Sequence, residues 1–138
     1  MNMSDRRLVV TMNMHGVDHE TFGRNEETRR TEVRETILSN PNQAMNVLEF
    51  IHGWGGECRL ELRLTGTLLT DNTIRVQGNA LLFEGTSEGT GDLDGQRDIS
   101  FLIPKGGVVA QHNFRVNNDD EGDDFADVQL TCTNSVFE

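Results

Sequence analysis

Glu57-Cys58-Arg59-Leu60-Glu61-Leu62-Arg63-Leu64 is the stretch that decides the fold. Apolar side chains at 58, 60, 62 and 64 alternate with charged ones at 57, 59, 61 and 63. A period of two is what an extended strand sorts into one buried and one wet face, because its successive side chains point to opposite sides. Turn-forming Thr70-Asp71-Asn72-Thr73 follows, and Ile74, Val76, Ala80 and Leu82 resume the alternation. The two runs therefore read as a hairpin, with a β-bulge expected where Gly78 and Asn79 interrupt the second.

The same pattern extends outward. Ile99, Phe101 and Ile103 make a third strand, stopped by Pro104-Lys105-Gly106-Gly107, in which proline presets a turn and glycine accepts positive φ. Val108, Ala110, His112, Phe114 and Val116 share one face of a fourth strand, and Ala126, Val128, Leu130 and Cys132 one face of a fifth. Leu8, Val10, Met12 and Met14 read as a sixth. Segment 25–38 carries both periods: Glu26 with Arg30 and Val33 with Ile37 suit a helix, whereas Thr31, Val33, Glu35 and Ile37 alternate like a strand. Asn40 before Pro41 resembles an N-cap with proline at the first helical position, and Ala44, Val47, Leu48 and Ile51 would line one face up to Gly53. A short helix is predicted there, with a strand over 47–51 as the competing reading. The architecture expected is mainly β: one antiparallel β-sandwich domain over 1–138, with an open barrel as competitor and at most one or two short helices in 25–52.

Composition narrows the function classes. A chain of 138 residues should bury roughly 68% of its unfolded surface, enough for a core without staples. Twelve Lys and Arg against 23 Asp and Glu give a net charge of -11. That charge argues against nucleic-acid and anionic-membrane partners, which need a positive surface field. No run of 18 apolar residues exists, and no apolar stretch of signal-peptide length follows the polar start. A cytoplasmic location is expected, with Cys58 and Cys132 as buried thiols rather than a disulfide.

If every connection reverses the chain, parity gathers loops 53–56, 84–97 and 117–124 at one end. Asp92, Asp94, Asp98, Asp119, Asp120, Glu121, Asp123, Asp124 and Asp127 would then collect there, and like charges so dense call for neutralisation by solvent, arginines or a divalent cation. Calcium suits such a set because it takes six to eight oxygens in flexible geometry. The candidate ligands are Asp92, Asp94, Asp119, Asp120, Glu121 and Asp123. Neither acidic stretch is an EF-hand, since the twelfth positions are Phe101 and Val128 rather than glutamate. The competing reading is a pair of solvated loops.

Trp54, the only tryptophan, stands in Gly53-Trp54-Gly55-Gly56 beside His52. Both are candidate ligand-binding residues if the indole stacks on a ligand, and core-capping residues if the glycines make room for it. His15 and His19 have i, i+4 spacing, but Gly16 and the preceding strand pattern argue against a helical zinc pair. The glycine-rich 85–91 stretch carries acid rather than lysine, the wrong charge for phosphate. No nucleophile elbow, C-x-x-C or Walker loop occurs. With no tyrosine and few rings, an extended stacking platform for carbohydrate or single-stranded nucleic acid is disfavoured.

Three functions compete. The first is a non-enzymatic interaction or accessory module acting through its surface on a protein partner or small ligand. The second is a calcium-dependent binding module using acidic loops 84–98 and 117–127, with Trp54 at the same end. The third is a small hydrolase using Asp or Glu with His52 or His112. Leu81, Phe83 and Leu102 face away from the assigned core. They require either a cover from 25–52 or a homo-oligomeric contact through a sheet face or edge.

Overall fold

A computed structural model describes residues 5–120 and 123–138. Eight strands follow one another: β1 (Arg6–Asp18), β2 (Glu26–Leu38), β3 (Ala44–Trp54), β4 (Cys58–Leu68), β5 (Ile74–Glu84), β6 (Leu93–Ile103), β7 (Ala110–Asn117) and β8 (Phe125–Val136). They form two four-stranded antiparallel sheets, ordered β2-β1-β8-β7 and β3-β4-β5-β6. No ladder joins the sheets into a closed barrel, so the sandwich is the architecture. Among the described residues no helix is long and apolar enough to cross a membrane.

The ambiguous 25–38 segment is β2, and the helix expected after Asn40 is instead β3. Two local features account for the difference. Asn42 sits at φ 63 and donates its N–H to the Leu68 carbonyl at 2.7 Å, a left-handed turn that no right-handed helix can continue through. A register shift between Asn46 and Leu48 then turns both Val47 and Leu48 inward. Two adjacent buried residues break the period of two and imitate helical spacing.

Gly78 is the converse case. Its register with Leu64 is regular, so the bulge expected there is absent; the shift falls between Leu82 and Phe83 instead. Glycine is needed because a Cβ at 78 would lie 1.9 Å from the Arg63 carbonyl oxygen. Val108 also departs from expectation: β7 begins at Ala110 and Val108 is exposed.

The inward faces of both sheets supply one core, with Leu8, Met12, Leu60, Leu62, Leu64, Leu82 and Leu130 fully buried. Along the seams where the sheets meet, two half-buried histidines bridge edge strands. His52 Nε2 lies 2.9 Å from Thr28 Oγ1 at the β2–β3 seam. His112 stacks on Phe101 at the β6–β7 seam, with ring centroids 4.8 Å apart. Segment 25–52 does not cover the outer β5–β6 face. Arg59 lies over the Phe83 ring at 4.3 Å, and Leu102 remains exposed.

Reversal at every connection places loops 19–25, 55–57 and 85–92 and the described residues 118–120 and 123–124 together at one end, here called the rim. At the far end the core is closed by polar groups. Buried Arg6 donates through Nε to Asn134 Oδ1 at 2.8 Å and through Nη2 to the Lys105 carbonyl. Asn134 in turn donates to the carbonyls of Asn72 and Ile103 at 2.8 and 3.1 Å. Replacing Asn134 with alanine strands a buried guanidinium N–H and two carbonyls. Asn134→Ala is predicted to lower unfolding free energy by about 3 kcal/mol, read as a lower urea midpoint at unchanged slope.

Candidate functional site

At the rim the two acidic segments do meet: the Asp119 N–H donates to the Asp94 carbonyl at 2.7 Å. Asp94 and Asp98 lie on β6 and Asp127 on β8 rather than in loops. Asp92, Asp94, Asp119 and Asp120 line an open concavity of about 490 Å³. Asp123 lies 3.8 Å from His19, and Glu121 is outside the described residues. None of these expected ligands belongs to the described groups of three whose ligating atoms lie within 4.8 Å of one another.

The groups that do converge lie beneath. On β1 the inward positions run Leu8, Val10, Met12, Met14, Gly16, Asp18, and on β8 Ala126 to Asn134. Gly16 pairs with Ala126, and Asp124 stands one inward position beyond Ala126, as Asp18 stands beyond Gly16. Both aspartates are buried, at 1% and 3% exposure. Ligating atoms of Asp18, Cys58 and Asp124 lie within 4.8 Å of one another, as do those of Asp18, Glu20 and Glu57.

Their electrostatics are unlike those of the far end. Asp124 Oδ1 accepts the His19 N–H at 2.7 Å, and Asn118 Nδ2 donates to Glu84 and to Asp124 Oδ2, the latter at 3.4 Å. Asp18 Oδ2 is buried with no hydrogen-bond partner among the described residues. Burial first, then the charges of Asp124, Glu57, Glu20 and Glu26, push the Asp18 carboxyl up to about 7.

Trp54 is only 4% exposed, so its indole closes the core rather than facing a ligand in solvent. The space for it comes from Gly16, where a Cβ would lie 2.7 Å from the indole Cε2. The neighbouring glycines make room for carboxylates instead. A Cβ at Gly53 would lie 2.4 Å from Glu88 Oε1, and one at Gly55, itself at φ 65, would lie 2.4 Å from Asp18 Oδ2. His52 stacks on Trp54 with centroids 6.4 Å apart, and burial followed by the charge of Arg30 lowers its pKa against the raising effect of Glu88. His52 and His112 occupy opposite seams of the sandwich.

A second candidate surface is the outer face of the β2-β1-β8-β7 sheet. Register aligns Thr31, Asn13, Gln129 and Asn113 in one row across four strands, and Arg29, His15, Asp127 and Arg115 in the next. A groove of about 700 Å³ runs along them. Thr31 Oγ1 donates to Asn13 Oδ1 at 2.7 Å, and His15 Nε2 lies 3.0 Å from Glu27. Arg115 grips Asp127 through two bonds of 2.7 and 2.8 Å while lying over Phe125, which holds the Asp127 carboxyl below its usual range.

The thiols sit apart: Cys58 opposes Trp54 near the rim, and Cys132 opposes Val10 and Ala110 nearer the far end. Both are free and buried. Burial, reinforced by Asp18 and Asp124, pushes Cys58 up, and burial pushes Cys132 up to about 12. Since the thiolate is the reactive form, neither should react with an aromatic disulfide reagent at pH 8 in the native protein. Both should titrate once guanidinium unfolds it; prompt native reaction would contradict this burial.

Comparison of the chain with protein-family models, curated proteins and solved structures finds no match, so its functional reading rests on these two surfaces.

Proposed function

We propose that the chain is a non-enzymatic binding module whose ligand surface is the outer face of the β2-β1-β8-β7 sheet. The observation that carries this reading is the row of amides and hydroxyls Thr31, Asn13, Gln129 and Asn113, aligned across four strands within one groove. Amides offer donors and acceptors together, and neighbouring strands present them about 4.8 Å apart. That arrangement fits a hydroxyl-rich ligand of the saccharide class, held by hydrogen bonds rather than by ring stacking.

On this face Asp127 is held by Arg115 through two bonds, and His15 Nε2 lies 3.0 Å from Glu27, so charged pairs flank the uncharged row of amides and hydroxyls. Gln129 and Asn113 are exposed, so removing their side chains should change stability by less than about 0.5 kcal/mol.

Ligand-observed NMR against a panel of mono- and oligosaccharides tests the proposal. A binding saccharide is expected, and the double substitution Gln129→Ala with Asn113→Ala should weaken it about tenfold or more. Absence of binding across the panel, or affinity indifferent to the double substitution, would count against it.

A further inference from the structure

The two ends of the core treat their inward charges differently. Arg6 is buried at the far end, but a side-chain amide and two backbone carbonyls receive its N–H groups. Asp18 is buried at the rim, and the charges that reach it are carboxylates: Asp124, Glu57, Glu20 and Glu26. Its Oδ2 is buried beside Gly55 with no partner among the described residues, and a carboxylate oxygen of Asp18 lies within 4.8 Å of those of Glu20 and Glu57. A buried carboxylate oxygen without a donor loses its hydration and gains nothing in return, a cost of several kcal/mol for a charged group. Such a carboxyl is neutralised either by keeping its proton or by a cation in the space beside it.

The geometry points to a calcium site: we propose that Asp18, Glu20 and Glu57 bind one calcium ion at the rim, with Asp124 lining its buried side. This is independent of the saccharide reading, which concerns another face.

Three features favour that ion. First, oxygens within 4.8 Å of one another match calcium, whose ligands at about 2.3 to 2.6 Å are separated by at most about 5 Å across the ion. Second, burial is graded: Asp18 is fully buried, Glu20 half-buried and Glu57 exposed. The ion therefore meets solvent on one side, where water can complete its coordination. Third, the ligands come from the end of β1, loop 19–25 and turn 55–57, three segments with no shared regular geometry. That tolerance suits calcium better than magnesium, which demands a near-ideal octahedron.

Cys58 belongs to the separate group it forms with Asp18 and Asp124, so the three proposed ligands supply oxygen only, the donor set of a hard cation. Gly55 adds a steric requirement. Its positive φ and its closeness to Asp18 Oδ2 leave no space for a side chain, so turn 55–57 can lie against the carboxylate.

The test is thermal unfolding of the full chain, freed of metal by chelation and then titrated with calcium chloride. At about 100 times the dissociation constant, the melting temperature should rise by at least about 5 °C, more than with magnesium at equal concentration. Asp18→Asn keeps the shape and removes the charge. It should melt no lower than the parent without calcium and should lose the calcium shift. Glu57→Gln, at an exposed position, should weaken the shift and serves if Asp18→Asn does not fold. Asp119→Asn with Asp120→Asn, in the neighbouring acidic loop, should keep it. The proposal is overturned if no shift occurs at 10 mM calcium, if sodium chloride at matched ionic strength gives the same shift, if the shift survives both rim substitutions, or if the loop pair abolishes it.

Discussion

The constraint on which the molecule depends is that strand alternation does not stop where the apolar residues do. β1 and β8 pair over almost their whole length, so the faces that bury Met12 and Leu130 also carry inward whatever stands at their ends. At one end these are Arg6 and Asn134, at the other Asp18 and Asp124. Satisfied, such groups close a sandwich and fix its register; unsatisfied, they cost stability or recruit a ligand. Arg6 and Asn134 belong to the first case, as does Asp124, which accepts from His19 and Asn118; Asp18 belongs to the second.

This contrast also explains what was legible in the residues. The hairpin from Cys58 to Glu84, the strands after it and the gathering of acidic segments at one end follow from period and parity, and the sheets bear them out. Reading β3 as a helix followed from real spacing, because the register shift at Val47 and Leu48 turns two neighbours inward and counterfeits a helical period. The carboxylates that converge were missed for a related reason. Gly16 carries no apolar side chain, so the buried face of β1 looked finished at Met14, although alternation continued through it to Asp18. Counting by twos past the last hydrophobic residue would have found Asp18 and, on β8, both Asp124 and Asn134. Trp54 was ambiguous because the residue that makes room for its indole, Gly16, lies on another strand.

The edges show how sheets that do not close remain joined. β2 is highly charged and largely exposed, which protects its unpaired edge from further pairing. His52 and His112 use one imidazole at each seam to hold the neighbouring sheet, by a hydrogen bond in one case and a ring stack in the other. With the histidines occupied at the seams and the indole in the core, chemistry available to ligands divides between an amide-lined groove on one sheet and a carboxylate pocket at the rim. A rim ion would brace four strand ends while the groove, built on the middle of the sheet, remains open.

The central claim, that the rim is built around a cation held from below by Asp18, is tested most directly by anomalous scattering from crystals grown with manganese as a calcium surrogate. The account predicts one strong peak between the carboxylates of Asp18, Glu20 and Glu57. A peak confined to the concavity of Asp92, Asp94, Asp119 and Asp120, or no peak with Asp18 hydrogen-bonded to its neighbours, would contradict it.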